Sequence, residues 1–162
     1  MSIEFWPQDI NNGLRCGDLL RLKVQDVKNL KIGETFTIRE QKTGKTNVLM
    51  VNKSTHKILK EYPEQVKPSD DYYLFKSRKG QNQPLSVGTV NGLVKKWCRS
   101  INLKGNYGSH TLRKVWSFQM RTRYGVDCSI ISKRFQYSSM SVTMRYLGIS
   151  DTEVNNCLLN EI

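Results

Sequence analysis

The chain has 162 residues and a net charge of +12, from 26 Lys and Arg against 14 Asp and Glu. Hydrophobic residues make up 38%, enough for one domain with its own core, which excludes collagen-like and disordered chains. No apolar run nears the roughly 18 residues of a membrane span. The opening MSIEFWPQDINNG has no basic stretch ahead of an apolar core, so neither membrane insertion nor secretion is expected. Four scattered cysteines with no CxxC pair fit a reduced cytoplasmic protein without a zinc site. The last twelve residues hold three acids and no Lys or Arg, so the basic excess lies in residues 1–150. A body this basic favours a polyanion, since each phosphate it neutralises releases condensed counterions.

No internal repeat or low-complexity linker interrupts the chain, and a single domain over 1–162 is expected. Asn12-Gly13 marks a turn, after which LRCGDLLRLKV predicts a short helix with Leu14, Leu19 and Leu20 on one face. Residues 34–40 and 46–52 read as strands joined by Gln41-Lys42-Thr43-Gly44-Lys45, a hairpin with glycine near its tip. Ser54 or Thr55 is expected to cap a helix through STHKILKEY that ends before Pro63. A short apolar run, 71–75, precedes the basic loop KSRKGQNQP at 76–84. Ser86 then opens a longer helix with Val87, Val90, Val94, Trp97, Cys98 and Ile101 as its apolar stripe and Lys95, Lys96 and Arg99 on the other side. Ser109 is expected to cap a helix from His110 to Gly125, and Asp127 another through IISKRF. MSVTMRYL gives a further helix, and Ser150-x-x-Glu153 a capping box for the last one, in 150–162. The fold class is mainly α with a small antiparallel sheet.

Several chemistries lack their residues. There is no GxxxxGK[ST] loop, no HExxH and no GxSxG serine. Two histidines, His56 and His110, do not make a multi-histidine metal centre, and Asp70-Asp71 is an isolated acidic pair. If this basic chain acts on nucleic acid, the expectation is that it does so without a metal. What remains is a set of cations and tyrosines. His110 and Arg113, three apart at a helix N-terminus, are expected on one face where free N–H groups already attract phosphate. Arg15 follows the Asn-Gly turn, Lys42 and Lys45 sit at the hairpin tip, and Tyr146 follows Arg145 near the end of its helix.

In this order, GLRCGDLLRLKVQDV, the QKTGK hairpin, SHTLRK and SVTMRYLGI resemble the motif blocks of the tyrosine recombinases, the phage integrase family. The resemblance runs from about Asn12 to Ile149. It implies a helical catalytic domain with a small sheet, which cuts and rejoins double-stranded DNA through a 3′-phosphotyrosyl link, with no metal and no cofactor. Arg15 matches the first family arginine, Lys42 the hairpin lysine, His110 and Arg113 the HxxR pair, and Tyr146 the nucleophile. The implied roles are charge compensation by the two guanidiniums, proton donation by Lys42 to the leaving oxygen, and assistance from His110. Lys45, Lys95, Lys96, Arg99 and Lys114 are expected to contact the DNA backbone.

One position departs from the family pattern. Nine residues before the nucleophile the family usually has histidine or tryptophan, whereas here stands Tyr137, in FQYSS. A phenol donates one hydrogen bond to a phosphate oxygen but does not become cationic. The family's N-terminal DNA-binding domain is expected to be absent, since only about a dozen residues precede Arg15. In the tail, Val154, Cys157, Leu158 and Ile162 recur at helical spacing, for packing in cis or for docking on a neighbouring protomer. The resemblance implies a monomer that assembles as a tetramer on DNA, associated with the nucleoid. A type IB topoisomerase and a non-catalytic DNA-binding relic are the competing readings.

Overall fold

The computed structural model describes residues 12–66, 69–137 and 139–160, with backbone alone at 62–66 and 145. Residues up to Leu112 form one compact unit and those from Arg113 another. Among the described residues no helix is long and apolar enough to cross a membrane. Ser138, the Arg145 side chain and Ile162 lie outside the described residues.

In the first unit the expected single helix after Asn12-Gly13 is two short ones, α1 (Cys16–Leu19) and α2 (Val24–Val27). The break follows from local bonding. The Lys23 N–H donates to Asp26 Oδ2 at 2.8 Å, opening a new helical turn where the first would have continued. Between them the chain lies alongside 72–74, with Val24 N–H donating to the Tyr72 carbonyl and Leu74 N–H to the Leu22 carbonyl.

Strands β1 (Thr35–Arg39) and β2 (Thr46–Met50) pair antiparallel, Ile38 opposite Asn47 and Phe36 opposite Leu49. Alternation turns Phe36, Ile38 and Glu40 of one arm, and Asn47, Leu49 and Val51 of the other, toward the interior. Gly44 takes φ +67° at the tip, a conformation that favours glycine. Helix α3 (Lys53–Val66) is capped by Asn52, whose Oδ1 accepts the Thr55 N–H at 2.8 Å, and not by Ser54 or Thr55. It continues past Pro63, where the sequence predicted an end.

Helix α4 (Val87–Ser100) has the expected Ser86 cap, Oγ accepting the Thr89 N–H at 3.0 Å. Val90 and Val94 are buried and Trp97 and Cys98 partly so, but Val87 and Ile101 face solvent because they lie at the helix ends. The core of this unit joins Leu14, Leu19, Leu20, Leu22, Val24 and Val27 to Ile38, Leu49, Val51, Ile58, Leu59, Leu74, Phe75, Val90 and Val94.

Helix α5 (Ser109–Thr122) includes Ser109 as a helical residue, so Ser109 is not its cap; the Ser109 N–H donates to Asn91 Oδ1 at 2.7 Å. It stops at Thr122, short of Gly125. In the second unit α6 (Cys128–Phe135) has Asp127 as its cap, accepting the Ser129 N–H at 2.7 Å, and α7 (Met140–Leu147) follows. Thr143 Oγ1 donates to Ser132 Oγ at 2.8 Å, fixing α7 on α6. Ile131, Phe135 and Leu147 are fully buried there. Helix α8 (Asp151–Asn156) is capped by Ser150 and runs into a 3₁₀ turn (Cys157–Leu159). Neither buries a residue, and Leu158 is 83% exposed, so the described part of the tail, 151–160, adds nothing to the core. Its described anchor is an ion pair between Glu153 and Arg121.

Leu49 and Met50 are neighbours on opposite faces of β2, the first buried and the second exposed. Leu49→Ala is expected to cost about 2–5 kcal/mol in urea unfolding, and Met50→Ala less than about 0.5 kcal/mol.

Candidate active site

Alternation puts two polar side chains, Glu40 and Asn47, on the inward face of the hairpin, and they satisfy each other. Glu40 is 1% exposed. Its Oε1 accepts from Asn47 Nδ2 at 2.9 Å, and its Oε2 accepts from Thr43 Oγ1 at 2.6 Å and pairs with the Arg15 guanidinium. Burial raises the Glu40 pKa, but those three donors and the positive charge of Arg15 outweigh it, leaving the carboxyl below its ordinary 4.5. Arg15 itself is the residue before α1, in extended conformation, with its side chain 19% exposed.

A second acid closes the same corner from α1. Asp18, also buried, accepts the Gln41 N–H through Oδ1 at 2.9 Å. Lys42 and Lys45, both exposed, thus project from a loop anchored on each side of its base. Next to Arg15, the thiol of Cys16 hydrogen-bonds Ser109, the neighbour of His110; burial, against that bond, pushes the thiol up to about 11. The first unit therefore brings together Arg15, the lysine hairpin and the start of α5. Sequence reading missed Glu40, Asp18 and Cys16 as supports for these groups. The signal for Glu40 and Asn47 was their period-2 placement with Ile38 and Leu49.

In the second unit an aromatic cluster surrounds Tyr146. Its ring centroid lies 5.3 Å from that of Tyr137 and 5.8 Å from that of Phe135, while Phe135 lies 5.6 Å from Trp116. The Arg113 guanidinium packs 4.2 Å from the Phe135 centroid and 5.5 Å from that of Tyr137, with Nη2 donating to the Phe135 carbonyl at 3.3 Å. Lys114 Nζ stands 5.5 Å from the Tyr146 centroid. Tyr137 and Tyr146 are adjacent, as nine-residue spacing across a helix start allows. Tyr146 occupies the last turn of α7, which Gly148 ends at φ +67°, and Arg121 Nη1 donates to the neighbouring Leu147 carbonyl at 3.3 Å.

His110 and Arg113 do share a helix, but at different depths: His110 is exposed and Arg113 only 3% exposed. The Arg113 side chain is drawn onto the Phe135 ring, which buries it. Lys95, Lys96 and Arg99 on α4, and Lys114 on α5, are exposed. Among the described residues no group of three His, Cys, Asp or Glu side chains is arranged to hold a metal.

Residues 10–153 match the phage integrase family. The chain belongs to that family. One relative of this chain by sequence is the probable integrase/recombinase YoeC of Bacillus subtilis, 32% identical over 144 residues, covering 88% of this chain and 74% of YoeC. The tyrosine recombinase XerA of Pyrococcus horikoshii is 29% identical over 146 residues, 90% of this chain but 50% of XerA. The fold is that of the family's solved members. The XerA recombinase crystal structure superposes with a TM-score of 0.69 at 21% identity, over 91% of this chain and 51% of that one. A post-cleavage complex of the XerH site-specific recombinase on palindromic difH substrate gives 0.68 at 22% identity, over 90% and 41%. This chain thus spans about half of the Xer recombinases it resembles.

Two outcomes follow from the site chemistry. With its thiol pushed up to about 11, Cys16 is expected to be about one part in a thousand thiolate at pH 8, so iodoacetamide labels exposed Cys157 first, read by peptide mass. Because the folded Glu40 pKa is depressed, its contribution to stability is present above about 4.5 and is lost as pH falls through the lower folded value. Urea titrations from pH 7 to pH 3 should show the stability gap between parent and Glu40→Gln narrowing with acid.

Proposed function

We propose that this chain carries the catalytic residues of a site-specific DNA strand transferase, cutting and rejoining DNA through a 3′-phosphotyrosyl intermediate. The observation that carries the reading is the family match over 10–153 together with the presence, in order, of Arg15, Lys42, His110, Arg113 and Tyr146. The chemistry follows from what a phosphodiester needs. Its non-bridging oxygens gain negative charge as phosphorus becomes five-coordinate, and the forked guanidiniums of Arg15 and Arg113 offset that charge. The Tyr146 oxygen attacks phosphorus and the bond to the 5′ oxygen breaks. Lys42 protonates that leaving oxygen, and His110 assists proton transfer. The phosphotyrosyl ester keeps the energy of the broken bond, so a 5′-hydroxyl from another strand reverses the step and reseals DNA.

Tyr137, in this reading, donates its phenol proton to a phosphate oxygen and packs beside the nucleophile. The exposed Lys45, Lys95, Lys96, Arg99 and Lys114 contact the backbone of double-stranded DNA. The single-domain organisation belongs to the same proposal, as do a monomer in solution, a synaptic tetramer on DNA and a place among nucleoid proteins. The XerH structure is a recombinase bound to its substrate DNA, which supports DNA as the partner class.

A nicked suicide duplex, from which the cut fragment diffuses away, tests the reaction. The parent should accumulate a covalent protein–DNA adduct, Tyr146→Phe none, and Arg15→Ala or Arg113→Ala should slow it by about 10²–10³-fold. Binding without an adduct favours the non-catalytic relic. Tyr137→Phe and Tyr137→His should both change the cleavage rate; if neither does, Tyr137 makes no contact with the phosphate.

A further inference from the structure

Glu40 belongs to none of the motif residues, yet it is the most completely buried charged side chain among those described, at 1% exposure. A buried ion pair is a poor device for stability alone, since apolar residues of similar volume usually do as well or better. Its place is informative instead. The Glu40 N–H donates to the Lys45 carbonyl and the Gly44 N–H to the Glu40 carbonyl, both at 2.9 Å, so the backbone of Glu40 closes the loop that carries Lys42. Its side chain reaches Thr43 inside that loop, Asn47 on the returning strand and Arg15 ahead of α1. The pair engages Nη1 of a guanidinium that has five N–H donors and remains partly open to solvent.

We propose that Glu40 is a positioning residue that ties Arg15 and the Lys42 loop into one preorganised unit, orienting the free edge of the guanidinium and the ammonium toward the same phosphate. This rests on the strand-transfer reading above. All of its contacts lie within the first unit. Removing the carboxylate charge releases the guanidinium to other rotamers and lets the loop open, so the cost falls on the chemical step and not on DNA affinity, which the surface lysines carry.

The test uses the full chain. In hydrogen exchange of the free protein, Glu40→Gln and Arg15→Ala should each speed exchange over residues 41–45, and the double variant should be no faster than the faster single one, because both remove one link. In single-turnover cleavage of the suicide duplex, Glu40→Gln should lower the rate about tenfold or more, a misplacement effect, with DNA affinity within about twofold. Glu40→Asp, which keeps the charge, should recover part of the rate. Leu49→Ala, destabilised in the same hairpin but removing no hydrogen-bonding or charged group from the Glu40 cluster, should cleave within about twofold of the parent below its unfolding transition. Equal losses in Leu49→Ala and Glu40→Gln, or additive exchange effects, overturn the positioning role. An unaffected Glu40→Gln in a cleaving background overturns it alone, whereas a parent that forms no adduct overturns the strand-transfer reading and this role with it.

Discussion

A carboxylate withdrawn from water must be met by positive charge and hydrogen-bond donors, and in this chain that requirement falls on Glu40. The demand is answered from three places in the sequence: Arg15 ahead of α1, Thr43 in the hairpin loop and Asn47 on β2. Because all three must be present together, the guanidinium and the lysine loop are fixed relative to one another. Asp18 repeats the device from α1 by holding the Gln41 N–H. The proposed chemistry needs cations held before a substrate arrives; Glu40 restrains Arg15 directly, and Glu40 and Asp18 together hold the loop that carries Lys42.

The second unit solves a different problem with different means. The proposed reaction requires the attacking tyrosine to be held at a fixed angle, and rings surround Tyr146 here. Phe135, fully buried, touches Trp116, Tyr137, Tyr146 and the guanidinium of Arg113, so one side chain organises both tyrosines and one arginine. The end of α7 is held by Arg121, which donates to the Leu147 carbonyl and also pairs with Glu153 of α8. Arg121 thereby joins the turn carrying Tyr146 to a tail helix that buries nothing of its own.

The hairpin, α4, α6 and α7 were legible in the sequence because their signals are local: period-2 alternation, Ser86 and Asp127 at their caps, and a glycine after Tyr146. The order of motif blocks carries the family resemblance. What escaped depended on contacts distant in sequence or on competition between neighbours. The division into α1 and α2 turns on Asp26 reaching back to the Lys23 N–H, and the cap of α3 on Asn52 winning over two hydroxyl residues. Spacing put His110 and Arg113 together, but only packing on Phe135 buries one and leaves the other out. The tail's apolar spacing fitted packing in cis or docking on a neighbouring protomer, yet spacing alone carries no partner, and its described residues remain exposed.

Two phenols stand 5.3 Å apart by ring centroid, and the account turns on which of them forms the bond to DNA. Trypsin separates them cleanly, since cleavage after Arg134 and Arg145 leaves Tyr137 in the peptide 135–145 and Tyr146 in 146–162. Mass spectrometry of the trapped complex after nuclease trimming should find the residual nucleotide on the 146–162 peptide through a tyrosine phosphodiester. The same mass addition on 135–145 would contradict the account, making Tyr137 the nucleophile and Tyr146 its neighbour.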